Sequence, residues 1–202
     1  RPLAFAGNDL PGVMLAGAVR DFAALWGVSA GDRVVLVTNN DDAYRTAIAL
    51  KSAGLDVPAI LDARPAATGA LPAAARALGL RVLEGRGVAA AKGGKQVSAV
   101  RVCSQAGEGA TLEEIACDAV AMSGGWSPVV HLWSHSGGKL TWNEASAHFA
   151  PDPAHPPLGP DGSGFAIAAG SAAGLLVTGE ALADAHRAGL RAAAETGHAA
   201  EL

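Results

Sequence analysis

The amino-acid sequence predicts an α/β fold built on a doubly wound, mainly parallel sheet. A continuous apolar strand at residues 33–37 is followed by a helical segment that ends at Gly54 and by a second apolar strand at 57–61. A helix over 70–78 and a strand at 81–84 repeat this pattern. Apolar strands that alternate with helices are typical of parallel sheets covered on both faces, and the crossovers between them are almost always right-handed.

The composition is that of a folded domain and argues against several kinds of partner. Hydrophobic residues make up 50% of the 202 residues and 26 residues are glycine, which suits close packing of helices on a sheet. The net charge is −4 and the basic residues are scattered, so we expect neither nucleic acid nor a membrane surface as a partner. No apolar run is long enough to span a bilayer and no signal peptide is visible, which predicts a cytoplasmic protein. Because the chain opens with Arg1 rather than Met, we expect a piece of a longer protein.

Two cysteines, Cys103 and Cys117, lie in apolar, strand-like surroundings. They form neither a CxxC motif nor a cluster with the spacing of metal ligands. We therefore expect buried, reduced thiols, as in a cytosolic protein.

The segments that flank the first two parallel strands have their own patterns. Residues 13–26 carry apolar side chains at helical spacing and predict a helix. Residues 87–92 and 96–103 lie on either side of the sequence Gly-Gly-Lys at 93–95. This arrangement predicts an antiparallel hairpin.

The second half of the chain is less regular. Strands at 113–117 and 118–122 are expected to continue the antiparallel part. Five prolines between positions 151 and 160 make much of 129–161 an irregular surface segment. A short strand at 164–168 and a long Ala-rich helix at 177–196 form the last predicted strand–turn–helix unit.

The turn after the first parallel strand, residues 38–42 with the sequence TNNDD, lacks the glycines of a dinucleotide-binding turn. Such turns use glycine for a tight bend and for close approach of the backbone to the diphosphate. Two carboxylates at the start of a helix favour the helix dipole and repel a phosphate. We interpret this acidic turn as a helix cap in which Asn40, Asp41 or Asp42 is the capping residue. Asp62, at the end of the next strand, lies about where an acid that binds a ribose would lie.

A second turn, Gly170-Ser171-Ala172-Ala173-Gly174, is the candidate cofactor-binding site. Its small residues let the backbone come close to a ligand, and amides at the start of the following helix would point outward. This glycine turn is therefore either a pyrophosphate or ribose site or a plain tight turn between a strand and a helix. The sequence leaves both interpretations open.

Two histidines, His131 and His135, are four residues apart and could share a metal on a helix. Ser134, Gly137 and Gly138 disfavour a helix, and no third ligand is nearby. We expect no metal site here, and burial or contact with a partner surface instead.

Three of the four tryptophans fall close together in the sequence. Core packing is one explanation, and a contact surface for another subunit is the other. The serines of this region belong to no GxSxG motif, so a hydrolase is not predicted. The tryptophans are Trp126, Trp133 and Trp142.

Four stretches of the sequence resemble the alpha subunit of heterotetrameric sarcosine oxidase. The stretches at 1–19, 38–47 and 123–144 are the specific ones. The stretch at 168–189 resembles the strand–turn–helix by which the glutathione-reductase-like fold returns to its first dinucleotide domain. That last pattern is shared with other flavoproteins, such as opine oxidase and cyanide synthase subunits.

The resemblance implies where this chain lies in a longer subunit. Family members carry a glycine-rich dinucleotide fold before this region and a folate-binding part after it. Residues 1–30 are then a linker and helix of the first dinucleotide domain. Residues 31–128 are an inserted Rossmann-like domain, the second dinucleotide domain, with a degenerate nucleotide loop and a small antiparallel hairpin. Residues 129–202 are the return segment to the first domain.

The resemblance also implies a reaction for the whole complex. Sarcosine is oxidatively demethylated to glycine, the one-carbon unit passes to tetrahydrofolate, and peroxide is formed. FAD and FMN take part in the complex, and NAD is bound mainly by the first dinucleotide domain. The partners implied are the beta, gamma and delta subunits.

Within that complex we expect this segment to be a scaffold without a catalytic residue. In the family a Gly-Asp pair stands where this chain has Gly170-Ser171, which argues against flavin binding by the glycine turn and favours another nucleotide. The turn would supply part of an NAD cradle, and residues 126–142 would supply subunit contacts. Two alternatives are an assembly module without a ligand and an NAD(P)H–flavin reductase domain of an opine oxidase or cyanide synthase-like protein.

Overall fold

A computed structural model describes residues 1–105 and 110–198. The chain divides into two compact units, Arg1–Gly125 and Trp126–Leu202. The elements of the first unit are β1 (Val13–Leu15), α1 (Ala16–Trp26), β2 (Val34–Thr38), α2 (Asp42–Ser52), β3 (Ile60–Asp62), α3 (Ala70–Ala77), β4 (Val82–Glu84), β5 (Arg86–Gly93), β6 (Val97–Ser104), β7 (Thr111–Ala116) and β8 (Ala119–Ser123).

The first unit has a five-stranded parallel sheet and a three-stranded antiparallel sheet. The parallel strands lie in the order β1-β8-β2-β3-β4. The antiparallel strands lie in the order β5-β6-β7, and the predicted hairpin joins β5 to β6. The predicted α/β class, a parallel sheet with a small antiparallel hairpin, is confirmed.

The core of the first unit has two halves, one on each face of the parallel sheet. Val34 and Leu36 of β2 pack with Tyr44 and other side chains of the helical layer. Val35 and Val37 point to the opposite face and pack with side chains of the antiparallel sheet. Because successive side chains of a strand point to opposite faces, a strand covered on both sides must be apolar throughout. This explains the continuous apolar run from which β2 was predicted.

Two predictions for the first unit were wrong. The helix predicted over 13–26 begins at Ala16, because residues 13–15 form β1 and pair in parallel with β8. Hydrogen bonding to a sheet edge has overridden the local helical spacing. The strand predicted at 118–122 belongs to the parallel sheet, not to the antiparallel part, since β8 pairs in parallel with both β1 and β2.

The second unit is more regular at its start and less regular at its end than the sequence predicts. A short helix and a two-stranded antiparallel sheet lie within the segment expected to be irregular. No strand forms over 164–168 in the described chain, where Gly164 makes one isolated bridge to Leu158. A strand needs a partner along its length, and these residues have no such neighbour within the described ranges. The elements are α4 (His131–His135), β9 (Leu140–Asn143), β10 (His148–Pro151), a 3-10 turn (Gly170–Ala173) and α5 (Thr178–Glu195).

The fold can be compared with two further expectations, one about the cysteines and one about membrane-spanning helices. Cys103 and Cys117 are both buried and free, as predicted. Among the helices of the described residues, none combines the length and the apolar character needed to cross a membrane.

Replacement of Leu50 by alanine is expected to lower the free energy of unfolding by about 2–5 kcal/mol, because a fully buried leucine leaves a cavity. Leu50 lies on α2 with 0% of its surface exposed. The matched control is Leu112→Ala, whose side chain is 54% exposed, with an expected loss below about 0.5 kcal/mol. Urea unfolding followed by circular dichroism measures both losses. Equal losses for the two variants would contradict the assignment of the core.

The Cys117 thiol is expected to resist thiol reagents in the folded chain. Burial, and to a lesser extent the Asp118 carboxylate, raises the pKa of the Cys117 thiol to about 11. At pH 8 only about one such thiol in a thousand is then ionised, and the thiolate is the reactive form. In a Cys103→Ser variant, titration with a chromogenic disulfide should give slow labelling of Cys117 until guanidinium is added. Fast labelling without denaturant would show that Cys117 is accessible.

Candidate functional site

The carboxyl ends of three parallel strands meet at one edge of the first sheet. β2 lies between β3 on one side and β8 on the other, and Thr38, Asp62 and Ser123 are the last residues of these strands. In doubly wound sheets ligands bind outside this edge, where the chain leaves neighbouring strands in opposite directions. A nucleotide site in this fold is therefore expected at this edge.

Asn40 holds the acidic turn to the end of β8. Its side-chain Nδ2 donates to the carbonyl oxygen and to Oγ of Ser123, each at 3.0 Å. Its backbone N–H donates to Thr38 Oγ1 at 3.0 Å. Its Oδ1 accepts the N–H of Asp42 at 3.1 Å, which is the first N–H of α2. Of the three predicted capping residues, Asn40 thus supplies a side-chain acceptor at the start of the helix.

Asp62 is fully buried and its carboxylate is engaged on every side. The Tyr44 hydroxyl donates to Oδ2 at 2.7 Å. The Arg64 guanidinium donates to the same carboxylate through Nε at 3.0 Å and Nη2 at 2.7 Å, and the Arg64 backbone N–H donates to Oδ1 at 3.0 Å. Arg64 Nη2 also lies 2.8 Å from Asp41 Oδ1 in the acidic turn. A ribose could reach Asp62 only by displacing these partners.

The pKa shifts of Tyr44 and Arg64 agree with a tightly paired network around Asp62. Burial raises the pKa of the Tyr44 hydroxyl above its ordinary value, and the hydrogen bond to Asp62 raises it further. The hydrogen bond to Asp62 is also the main reason why the pKa of Arg64 is raised. A buried carboxylate needs such partners because an unpaired charge is costly to remove from water.

The acidic turn does not fit the diphosphate of a dinucleotide. The N–H of Asp42 is taken by Asn40, and the N–H of Tyr44 donates to the carbonyl oxygen of Asp41. The Asp42 carboxylate remains at the start of α2, paired with Arg20 at 3.0 Å. A phosphate would therefore meet carboxylates at the start of α2, where the amides of Asp42 and Tyr44 are already taken.

The sequence pointed to Asp62 and the acidic turn but not to the residues whose side chains pair with these carboxylates. Arg64 stands two residues after Asp62, and Tyr44 stands two residues after Asp42. An arginine two residues after an acid at the end of an apolar strand is a signal that could have suggested their pairing. The contact of Ser123 with Asn40 carries no such signal, because the two residues are far apart in the sequence.

The five residues of the predicted glycine turn form one compact turn before α5, as expected. Gly170 has φ 56° and Gly174 has φ 96°, a conformation that other residues rarely adopt. The Gly170 N–H donates to Asp184 Oδ2 at 2.8 Å. Leu175 N–H donates to the Gly170 carbonyl oxygen at 3.1 Å, so the two ends of the turn meet. With a carboxylate on its first amide, this turn suits a hydroxyl group better than a phosphate.

His148 of β10 lies against the glycine turn, which the sequence did not predict. Its side chain is 4% exposed, and neither ring nitrogen has a hydrogen-bond partner among the described residues. A Cβ atom built on Gly174 would lie 3.5 Å from His148 Cε1, the ring carbon between the two nitrogens. The polar edge of the ring therefore faces the turn. The histidine falls in a segment expected to be irregular, so no periodicity pointed to it.

The remaining candidates do not form a site. His131 and His135 lie on the short helix α4, contrary to expectation, with ring centroids 6.5 Å apart and both residues exposed. The described residues contain no group of three side chains suited to a metal ion. Core packing is the wrong explanation for Trp126 and Trp142, which are 56% and 48% exposed. Trp142 packs edge-to-face on the exposed Phe149, with ring centroids 5.0 Å apart.

Comparison with curated proteins confirms the resemblance found in the sequence. Sarcosine oxidase subunit alpha of Rhizobium meliloti is 44% identical over 149 residues, which cover 74% of this chain and 14% of that protein. The subunit of Corynebacterium sp. strain U-96 is 38% identical over 191 residues, which cover 90% of this chain and 18% of that protein. The chain thus spans less than a fifth of the length of these relatives. No protein-family model matches the chain.

Solved structures of oxidoreductases share the fold. L-proline dehydrogenase from P. horikoshii has a TM-score of 0.58 at 19% identity, covering 99% of this chain and 33% of its own. The HOCl-induced flavoprotein disulfide reductase of Escherichia coli has a TM-score of 0.61 at 17% identity, covering 91% of this chain and 40% of its own. Thioredoxin reductase of T. acidophilum has a TM-score of 0.56 at 17% identity, covering 87% and 58%. The Rossmann-like, glutathione-reductase-like fold is confirmed.

Replacement of Arg64 by glutamine is expected to lower the free energy of unfolding by about 3 kcal/mol, because Asp62 is then buried without a counter-charge. Adding Asp62→Asn in the same chain should recover part of this loss, since the two sites are directly coupled. Urea unfolding of the two single variants and the double variant measures the coupling.

The control for this experiment is Arg33→Gln. Arg33 lies 3.2 Å from Asp56, and the two side chains are 51% and 57% exposed. An exposed ion pair contributes less than about 1 kcal/mol. If Arg64→Gln costs no more than this control, the buried network does not stabilise the edge of the sheet.

Proposed function

We propose that this chain, which is similar over most of its length to one segment of sarcosine oxidase alpha subunits, is a scaffold segment of a sarcosine oxidase-like oxidoreductase. The observation that carries this proposal is the closed edge of the parallel sheet. Where such folds bind a diphosphate, the acidic turn is paired with Arg64 and Ser123, and the neighbouring Asp62 is paired with Tyr44. The fold is retained and its usual ligand position is filled by side chains.

In this proposal the chemistry belongs to the complex and not to this segment. The complex would demethylate sarcosine oxidatively to glycine, with FAD and FMN as redox cofactors and tetrahydrofolate as acceptor of the one-carbon unit. Beta, gamma and delta subunits would be its partners in the cytoplasm. We assign no catalytic residue in this chain, because its carboxylates at the sheet edge are paired and no free base lies among them.

The contribution of the glycine turn would be part of an NAD cradle, with most of the cofactor held by a first dinucleotide domain. The turn carries two glycines with positive φ and is separated by residues 175–177 from a helix of 18 residues. Its exposed serine, Ser171, can donate to or accept from a ligand. These features support a contact with a nucleotide, although Asp184 occupies the first amide.

Two observations support an inserted domain with flanking segments. The Gly124 N–H donates to the Arg1 carbonyl oxygen at 2.8 Å, so the two ends of the first unit lie side by side. A domain inserted into another domain requires its two ends to lie close together. In the second unit, a cleft of about 520 Å³ lies between residues 164–167 and α5. Phe165, on this cleft, is 61% exposed, which supports a covering sheet supplied by the first dinucleotide domain.

A subunit-assembly module is the second candidate function. The observation that favours it is the exposed pair of Trp142 and Phe149, since aromatic side chains are enriched at the centres of protein interfaces. This function needs no nucleotide at the glycine turn. The two proposals therefore differ in the cofactor content of the assembled complex.

Gly170→Val is expected to reduce the NAD bound by the purified complex at least tenfold. Gly170 has φ 56°, and a Cβ there would lie 3.0 Å from the Ala181 carbonyl oxygen, so a side chain distorts the turn. Chromatography of the nucleotides released by acid measures the content, and gel filtration checks assembly.

Two variants serve as controls. Gly189→Val adds the same side chain on α5, where nothing lies within 4 Å of the new Cβ, and should retain NAD. Asp41→Ala changes the acidic turn and should also retain NAD. Loss of NAD in Asp41→Ala with retention in Gly170→Val would reverse the site assignment. A complex that lacks NAD altogether would favour the assembly module, and NADH oxidation by this chain alone would favour a reductase.

A further inference from the structure

His148 is a buried polar group that the fold leaves unpaired. Both ring nitrogens lack a hydrogen-bond partner among the residues that the structure describes, and the side chain is 4% exposed. Burying an imidazole without a partner costs free energy, and nearly all buried polar groups in folded proteins have one. We therefore expect His148 to have a hydrogen-bond partner that is not a residue of the described chain.

The position of His148 indicates where that partner would lie. The ring carbon Cε1, which sits between the two nitrogens, is in van der Waals contact range of a Cβ built on Gly174. Gly170 and Gly174 are brought together because Leu175 donates to Gly170. The unpaired ring and the carboxylate of Asp184 therefore flank the same turn, one at each end.

The hydrogen-bonding groups of His148 and Asp184 indicate which class of ligand fits at the glycine turn. A neutral imidazole offers one donor and one acceptor, and a carboxylate offers only acceptors. A hydroxyl group can satisfy both, because it donates one hydrogen bond and accepts others. A phosphate fits less well, since it would face the Asp184 carboxylate next to the first amide of the turn, although Arg187 Nη2 lies 3.4 Å from that carboxylate.

We propose that His148 is a ligand-binding residue that pairs with a sugar hydroxyl of the nucleotide held at the glycine turn. This inference rests on the proposed function and extends it from the backbone of the turn to a side chain on β10. The shared chemistry is a polyol, which either a ribose of NAD or the ribityl chain of a flavin would supply. His148 has no part in the chemical step.

The test uses the whole complex, stripped of nucleotide and dialysed against NAD. His148→Leu is expected to weaken NAD binding about tenfold, as the loss of one hydrogen bond in a buried site does. His186→Leu is the matched control, because His186 is an exposed histidine of the same unit, and it should bind as the parent does. The same dialysis with FMN and FAD distinguishes a ribityl chain from a ribose.

A ligand series separates a direct contact from a structural effect. NAD analogues that lack one ribose hydroxyl should bind the parent more weakly than NAD, and for one analogue this difference should vanish in His148→Leu. The melting temperature of the variant chain should be equal to or above that of the parent, because an unpaired buried polar group has been replaced by an apolar one. If His148→Leu does not assemble, His148→Asn, which keeps a polar but shorter side chain, replaces it in the same series.

Unchanged NAD affinity in the His148 variant, with loss in Gly170→Val, would overturn this inference and leave the proposed function standing. Retention of NAD in both variants would overturn both. An equal loss of affinity for NAD and for every deoxy analogue, with a lowered melting temperature, would assign His148 a structural role only.

Discussion

The pairing of Arg64 with two carboxylates is the constraint on which the first unit depends. Asp62 is fully buried at the end of β3, so the fold can keep its charge only with a cation close by. Arg64 provides that cation and reaches Asp41 in the acidic turn, while Tyr44 of α2 binds the same buried carboxylate. The guanidinium thereby joins β3 to the acidic turn, and the Tyr44 hydroxyl joins α2 to the same carboxylate. The edge that other sheets of this type leave open for a ligand is closed from within.

The two units differ in how completely their polar groups are paired and their apolar side chains are covered. In the first unit the polar groups at the sheet edge are paired, and the apolar side chains of β2 are covered on both faces. In the second unit α5, whose residues are all described, buries none of its side chains, and the aromatic pair Trp142 and Phe149 is exposed. We therefore expect the second unit to bind other molecules, through its exposed aromatic surface and through its buried histidine.

Much of the first unit could be predicted from sequence because its strands carry local signals. Burial on both faces makes β2 apolar throughout, and the glycines at 93–94 mark the hairpin directly. What failed depends on partners that are distant in sequence. β1 forms because β8 lies beside it, and residues 164–168 do not form a strand because no neighbour lies along them in the described chain. The positions of Asn40 and Ser123, and of His148 and Gly174, follow from the same long-range geometry and leave no trace in periodicity.

The order of strands also has a consequence for how the protein is made. β8 is the last strand of the first unit along the chain, yet it lies between β1 and β2, and Val13 pairs with Val120. On a ribosome, β1 therefore emerges long before the strand that it needs, and the centre of the sheet stays incomplete during that interval. Contacts of such wide sequence separation slow folding and leave strand edges uncovered. The nascent segment therefore carries uncovered strand edges until β8 has left the exit tunnel.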